Sequence, residues 1–462
     1  MSLMGVFEES RCITLQMQGI QFNHLDRKNR YQQVTSVLHS SNASLSFPNL
    51  FKDQHQLKGF YRLINNKSVS HSTFISGYQS GLAKYSMEQE KLTPWILVQD
   101  TMLTSFHTRK VLDLGYTQTE RSNGLILHHG LLLNDFFMPL GLLHQQVIHR
   151  ERDTYKQARA AEDKETKKWI EALKTGAAFS GQTGRPLIHL MDREADVAGI
   201  INAANGLGRQ YFVIRAAQNR ILTNQDGKVL PEKLFTSMPS LHTGETIQRQ
   251  LTNGQGKNYL ATCTISHGQL NIKGISKPVN CVWVKEIQQE DTKEKKELAE
   301  WFLLTNLPFE ESTPEMVAEY YSKRWVIEDF HKCYKTGCSI EKRQFDSRKT
   351  LTTSLGLLAI TAVVLLRSRY FAKDDHDMPF ETIVTDKAEQ ELARRIADKY
   401  LKPVDKLLCK PYTTLWWLLL LGRMGGHQGF NQKGLPGWQT LWKGYSFFQS
   451  LLIGFNYANN ST

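Results

Sequence analysis

The chain has 462 residues, room for about three domains at roughly 150 residues each. With 40% hydrophobic and 22% charged residues, wholesale disorder is excluded. Lys and Arg outnumber Asp and Glu by 57 to 45, and the net charge of +12 points to a polyanionic partner, nucleic acid first and an acidic membrane surface second. The longest apolar run, Leu355–Leu366, is 12 residues. That is short of the ~20 needed to span a bilayer, so a core helix is expected there. The start Met1-Ser2-Leu3-Met4-Gly5 has no basic region, apolar stretch or small-residue cleavage site. A soluble, intracellular protein is the expectation. The six scattered cysteines form neither a disulfide framework nor paired zinc ligands, and buried free thiols are expected.

Residues 1–85 are polar and helix-compatible, with basic clusters at Arg27, Lys28, Arg30 and at Lys58, Arg62. The pattern changes at Pro94. Trp95–Val98 is a short run of strand formers ending at Gln99-Asp100, and 125–133 and 140–148 predict two strands joined by a turn at Asn134-Asp135. Arg150–Lys174 predicts an exposed helix with Glu162, Lys164, Lys167 and Lys168 on its surface. Pro186–Met191 predicts a buried strand ending at Asp192, followed by a helix over 195–204 and a strand over 211–215. The whole is a mixed α/β sheet. Residues 217–305 read as a β-rich insertion, with strands over 259–266, 279–284 and 301–304 and a charge run over 291–297. From Pro314 the chain turns helical. In the last segment Trp438, Leu441, Trp442, Tyr445, Phe448 and Leu452 fall at helical spacing; core is the usual meaning of such a stripe, a dimer seam the alternative.

The densest chemical signal is Tyr320–Lys335. At roughly 100° per residue, Tyr321, Arg324, Glu328 and Lys335 fall within an arc of about 60° on one helix, while Asp329 points about 100° away from Glu328. Asp100 and Asp192 each follow an apolar strand. Two strand-end carboxylates and a helical Glu are what hard divalent cations need, and a pair of such ions can clamp both oxygens of a phosphoryl transfer. Competing acids are weaker: Asp135 is a turn residue, and Glu194 and Asp196 lie in the start of a helix. His128 and His129 are adjacent on a strand and face opposite ways, so they cannot share an ion. His331, Cys333 and Cys338 lack a fourth ligand. Gly254-Gln255-Gly256-Lys257 has the wrong spacing for a phosphate loop, and no ATP dependence is expected.

The spacing Tyr321-x2-Arg324-x3-Glu328-x6-Lys335 resembles the Tyr-Arg-Glu-Lys signature of bacterial insertion-sequence DDE transposases. Asp192–Asp196 is similar to the family's segment around its second catalytic aspartate, and Gln99-Asp100-Thr101 to the first. Further likeness runs through Gly59–Ile64, Gly141–Gln145 and Gly437–Trp442, in order along nearly the whole chain. Leu25–Arg30 matches the family's first-domain element only loosely. The resemblance implies a helical DNA-binding domain over 1–85 and an RNase H-like catalytic domain over 86–372 with its β-rich insertion at about 217–305. A helical dimerisation domain over 373–462 would follow. Asp100, Asp192 and Glu328 would be the catalytic residues, holding two Mg²⁺ or Mn²⁺ ions. Tyr321, Arg324 and Lys335 would grip phosphates near a DNA hairpin, Trp301 would receive a flipped base, and Arg215 would brace it. Arg27, Lys28, Arg30 and Arg62 are the further DNA-binding candidates. The implied protein is a cut-and-paste transposase, a homodimer on paired double-stranded DNA ends, cytoplasmic and nucleoid-associated. A nuclease that cuts without joining and a catalytically silent DNA-binding relative are the alternatives, and the intact acids argue against the second.

Overall fold

A computed structural model of the protein describes residues 3–40, 43–51, 53–106, 114–118, 123–151, 162–252, 258–289, 298–374, 377–382, 384, 386–429 and 435–459. The charge run over 291–297 and the string Gly254–Lys257 lie outside these residues. Five helices come first: α1 (Leu3–Gln18), α2 (Leu25–Ser40), α3 (Phe47–Leu50), α4 (Gln54–Ile64) and α5 (His71–Met87). The strands β1 (Trp95–Ser105), β2 (Gly124–Leu133) and β3 (Pro139–Ile148) follow, then α6 (Glu162–Thr183), β4 (Leu187–Met191), α7 (Ala198–Gly206) and β5 (Gln210–Arg215).

β1, β4 and β5 run parallel, while β2 and β3 add antiparallel strands to one side, giving the order β3-β2-β1-β4-β5. Every residue of β2 is buried, because helices cover both faces of the sheet. His128 meets Trp169 of α6 on one face and His129 meets Phe330 on the other, at ring separations of 4.6 and 5.2 Å. This is why β2 is mostly apolar on both sides of the His128-His129 pair and does not alternate.

The β-rich part does not stand apart. β6 (Ile221–Thr223), β7 (Val229–Lys233), β8 (His242–Thr252), β9 (Asn258–Ile272), β10 (Val279–Gln289) and β11 (Glu300–Thr305) continue the same sheet, since β11 pairs antiparallel with β5, and the short helix α8 (Leu234–Ser237) lies between β7 and β8. β6, β7 and β8 have no counterpart among the strands expected from sequence; β7 is exposed throughout and carries no apolar alternation. The helices α9 (Pro314–Ser322), α10 (Val326–Lys332) and α11 (Arg348–Asp374) return the chain to the first half of the sheet. Thr313 caps α9 by accepting from the Met316 amide, with Pro314 in its first turn. Arg348–Arg367 is long and apolar enough to cross a membrane, but 78% of it is buried inside the fold, as a core helix is.

Helices α1–α5 share a core with this sheet. Tyr31, Phe60, Phe74 and Tyr78 join Val98, Leu127 and Leu355 in one continuous apolar cluster. Tyr78 donates to the Gly356 carbonyl of α11 at 3.1 Å, and Lys349 donates to the Asn66 carbonyl at 2.6 Å. α1 and α5 cross at glycines: a Cβ on Gly81 would lie 2.3 Å from the Cα of Gln16. No residue with a side chain fits there without parting the helices.

The remaining helices, α12 (Lys387–Tyr400), α13 (Pro403–Leu408), α14 (Thr414–Met424) and α15 (Trp438–Asn459), enclose a second core. Leu441, Phe448 and Leu452 of the α15 stripe are buried against it, so this part of the stripe is core; the side chains of Trp438 and Trp442 lie outside the described residues. Within that core Glu389 accepts from Gln449 at 2.6 Å. Burial, with Asp386 adding to it, pushes the Glu389 carboxyl up to about 7. Its folded pKa thus exceeds the unfolded value of about 4.3. The contribution to stability is full below the unfolded value and is lost as pH rises through 7. Hydrogen exchange in α12 and α15 should therefore quicken between pH 5 and pH 8 beyond the intrinsic base-catalysed increase. Glu389→Gln should remove that excess, and an undiminished excess in the variant would rule this origin out.

Candidate active site

The parallel pairing of β1 with β4 places Val98 opposite Leu190. Two residues further along each strand stand Asp100 and Asp192, on the same side of the sheet. Asp192 follows the last residue of β4 and caps the short 3-10 turn Arg193–Ala195, its Oδ1 accepting from the Glu194 amide at 2.9 Å. Asp100 is not at a strand end as the sequence reading expected. β1 continues to Ser105, because β2 keeps pairing with it as far as Gly124.

Glu328 arrives on α10 with Arg324 between it and Asp100. The guanidinium donates to Glu328 Oε1 at 2.6 Å, and its other terminal nitrogen lies 3.5 Å from Asp100 Oδ2. Burial first, then the neighbouring Asp192 charge, pushes the Asp100 carboxyl up to about 7. Burial also raises Asp192, against the hydrogen bond from Glu194. Burial works against the Arg324 charge too, yet the Tyr321 phenol and both carboxylates hold its pKa above the usual arginine value. Burial is thus the main influence on both acids, with Arg324 set between Asp100 and Glu328.

The single helical stripe is corrected by the structure. Tyr321 lies in the last turn of α9, Arg324 sits in a 3-10 turn (Lys323–Trp325), Glu328 is in α10, and Lys335 lies in a π turn (Cys333–Gly337). Each change of helix type alters the angle per residue, so a wheel drawn at one pitch misplaces the ends. Arg324 and Glu328 still meet Asp100. Lys335 instead pairs with Glu341 at 3.3 Å, near the end of β1, where Glu341 also accepts from the Ser105 amide. Asp329 turns elsewhere, toward Lys332 and the Tyr370 hydroxyl, each at 3.4 Å.

Tyr321 is only 6% exposed. Its ring stands edge-on to Trp301 at 5.6 Å, and its phenol lies within the field of the Arg215 guanidinium. Burial pushes that phenol up, opposed by Arg324 and Arg215. Arg215 also donates to the Glu300 carbonyl at 2.8 Å, beside half-buried Trp301. These three residues thus extend from the carboxylates along β5 and β11.

Lys168 was expected on the surface, but it is 4% exposed and pairs with Glu194 at 3.0 Å, drawing Asp192 downward. Its position beside Trp169, on the inner face of α6, was the available signal. Asp196 is structural: its carboxylate accepts from the Ala217 and Gln218 amides and pairs with Arg220 at 2.6 Å. Arg27, Lys28 and Arg30 lie on α2, with Arg62 on the packed helix α4. Arg27 donates to Ser68 at 2.7 Å, and Arg30 lies across Gly59, so the two basic clusters adjoin. A cavity of about 620 Å³ lies elsewhere, at the edge strand β3, lined by His71, His144, Gln145, Glu171 and Arg348.

Among the described residues no three His, Cys, Asp or Glu side chains stand close enough together to hold an ion as they are placed. The donor chemistry nevertheless suits a hard divalent cation, since all three acids offer carboxylate oxygens.

The solved piggyBac transposase synaptic complex with hairpin DNA is similar at 11% identity over 79% of this chain, with a TM-score of 0.31. The match takes in 66% of that chain, slightly under two thirds, and at this score it establishes no common fold. Residues 142–364 match the Transposase DDE domain family. The stretch that bears Asp192, Glu328 and the Tyr321–Lys335 segment is therefore the one that matches a transposase DDE domain.

Proposed function

We propose that the protein is a cut-and-paste DNA transposase of the Tyr-Arg-Glu-Lys type, resembling the transposase of the fifth composite transposon. The observation that carries this reading is the register of β1 and β4, which sets Asp100 beside Asp192 with Glu328 reaching in through Arg324. In this reading the sheet β3-β2-β1-β4-β5 is an RNase H-like core, residues 1–85 bind DNA, and residues 373–462 support a homodimer on paired ends. Asp100, Asp192 and Glu328 would hold two Mg²⁺ or Mn²⁺ ions. When bound, the ions would supply charge neutralisation for an in-line phosphoryl transfer.

The chain's own residues do the positioning on which such a transfer depends. Arg324 neutralises the acids and offers its fork to a phosphate. Tyr321 and Lys335 hold the strand on either side. One strand is cut at each element end, and the freed 3′-hydroxyl attacks the opposite strand to close a hairpin. After the hairpin is reopened by water, the same hydroxyl attacks target DNA. Trp301 stacks on the base expelled at the hairpin tip, braced by Arg215. Tyr321 forms no covalent bond to DNA.

The direct assay is purified protein with Mg²⁺ and a labelled element end, read for nicks, hairpins and joined products. Asp100→Ala, Asp192→Ala or Glu328→Ala should each abolish cleavage with end binding nearly intact, whereas Asp329→Ala should be far milder. Equal damage from Asp329→Ala and Glu328→Ala would sink the assignment.

Binding should weaken steeply with salt, with a slope of roughly 0.9 per phosphate neutralised. Neutralising Arg27, Lys28 and Arg30 together should flatten that slope and lower affinity. An unchanged slope would move the DNA face off α2.

Trp301→Ala should leave first-strand nicking intact and slow hairpin closure, because stacking recovers part of the few kcal/mol that unstacking a base costs. An unpaired base at the flip position should partly rescue it. A uniform loss of every step with a lower Tm would mark Trp301 as core alone.

A further inference from the structure

His129 lies directly opposite Asp100 in the β1–β2 ladder, so the two side chains project from the same face of the sheet. From there His129 Nδ1 meets His331 Nε2 at 3.0 Å. His331 is on α10, one helical turn beyond Glu328. A single hydrogen bond therefore ties the strand position facing one acid to the helix position next to another.

The bond belongs to a longer chain. Gln145 of β3 donates its Nε2 to His129 Nε2 at 2.9 Å, and its Oε1 accepts from His71 Nε2 of α5, also at 2.9 Å. The other Gln145 amide hydrogen faces the Tyr334 hydroxyl at 3.4 Å, and that hydroxyl donates to the Leu355 carbonyl at 2.6 Å. The donor–acceptor sequence runs one way only. Because Gln145 donates to Nε2 of His129, the proton of His129 sits on Nδ1 and is donated onward, leaving His331 Nε2 as acceptor. Burial, the largest influence on each, holds His71, His129 and His331 below the usual histidine range, which suits a chain of neutral rings.

We propose that His331, held by His129 and Gln145, is a positioning residue that fixes α10 against β2 and so sets where Glu328 stands relative to Asp100. This rests on the carboxylate reading given above. His331 touches no reacting atom; it acts through the helix. A buried hydrogen-bond network favours one arrangement of the elements that meet in it, because a slip would strand the buried polar groups of His129 and Gln145 without partners.

Retention of Mn²⁺ by the full-length protein, followed through the spectrum of the free ion, separates the possibilities without relying on turnover. Asp100→Ala should lose the bound ion. His331→Leu fills the space without an acceptor, and should weaken retention about tenfold. His331→Gln, whose Oε1 can accept from His129, should recover most of that loss. Wild-type retention in His331→Leu, with Asp100→Ala still defective, would overturn the positioning role alone. Equal weakening in the Leu and Gln variants with the same drop in Tm would also overturn it, since that marks packing. Ion retention indifferent to Asp100→Ala would overturn the carboxylate site itself, and the positioning role with it.

Discussion

Two carboxylates on adjacent parallel strands repel each other, and the sheet that brings Asp100 beside Asp192 gives them little water to ease it. What makes the arrangement tolerable is the Arg324 guanidinium, which reaches Glu328 and Asp100 from a turn that is neither α nor π. An unpaired buried charge costs several kcal/mol. The site therefore exists in this form only while α9, the 3-10 turn and α10 stay where they are. Lys168 completes the balance from the other side, its ammonium holding Glu194 just past Asp192.

The central strands were legible because burial on both faces imposes continuous apolar runs. Trp95–Val98, Leu125–Leu133 and Leu187–Met191 announce themselves in that way. Asp192 was legible as the first polar residue after such a run. The same rule misplaced Asp100, because β1 goes on with Thr101, Thr104 and Ser105, polar residues whose pairing to β2 no apolar pattern reveals. Arg324 and Glu328 were found by an i, i+4 spacing that survives a local change of helix type. Lys335 was beyond that reach, since a π turn intervenes.

Other features could not be read without tertiary context. Lys168 looks like a surface charge in sequence and is buried because α6 lies flat on the sheet beside Glu194. The histidines of β2 were correctly set on opposite faces, but nothing in their spacing points to Gln145 or His331, which come from strands and helices far away in the chain. Long-range hydrogen bonding of this kind leaves no local signature.

The glycine crossing of α1 and α5 has a mechanical consequence. With backbone against backbone at Gly81 and Gln16, and Tyr78 of α5 anchored to α11, α1 and α5 have little room to slide past each other. The helices bearing the basic face share an apolar core with the sheet bearing the carboxylates, through Tyr31 of α2 and Phe60 of α4. A duplex gripped at α2 and α4 would meet the acids at a separation fixed by the protein's own girth, and the cut would fall a set number of base pairs from the grip. On the proposed function the molecule would work as a caliper, its jaws set by the core they share.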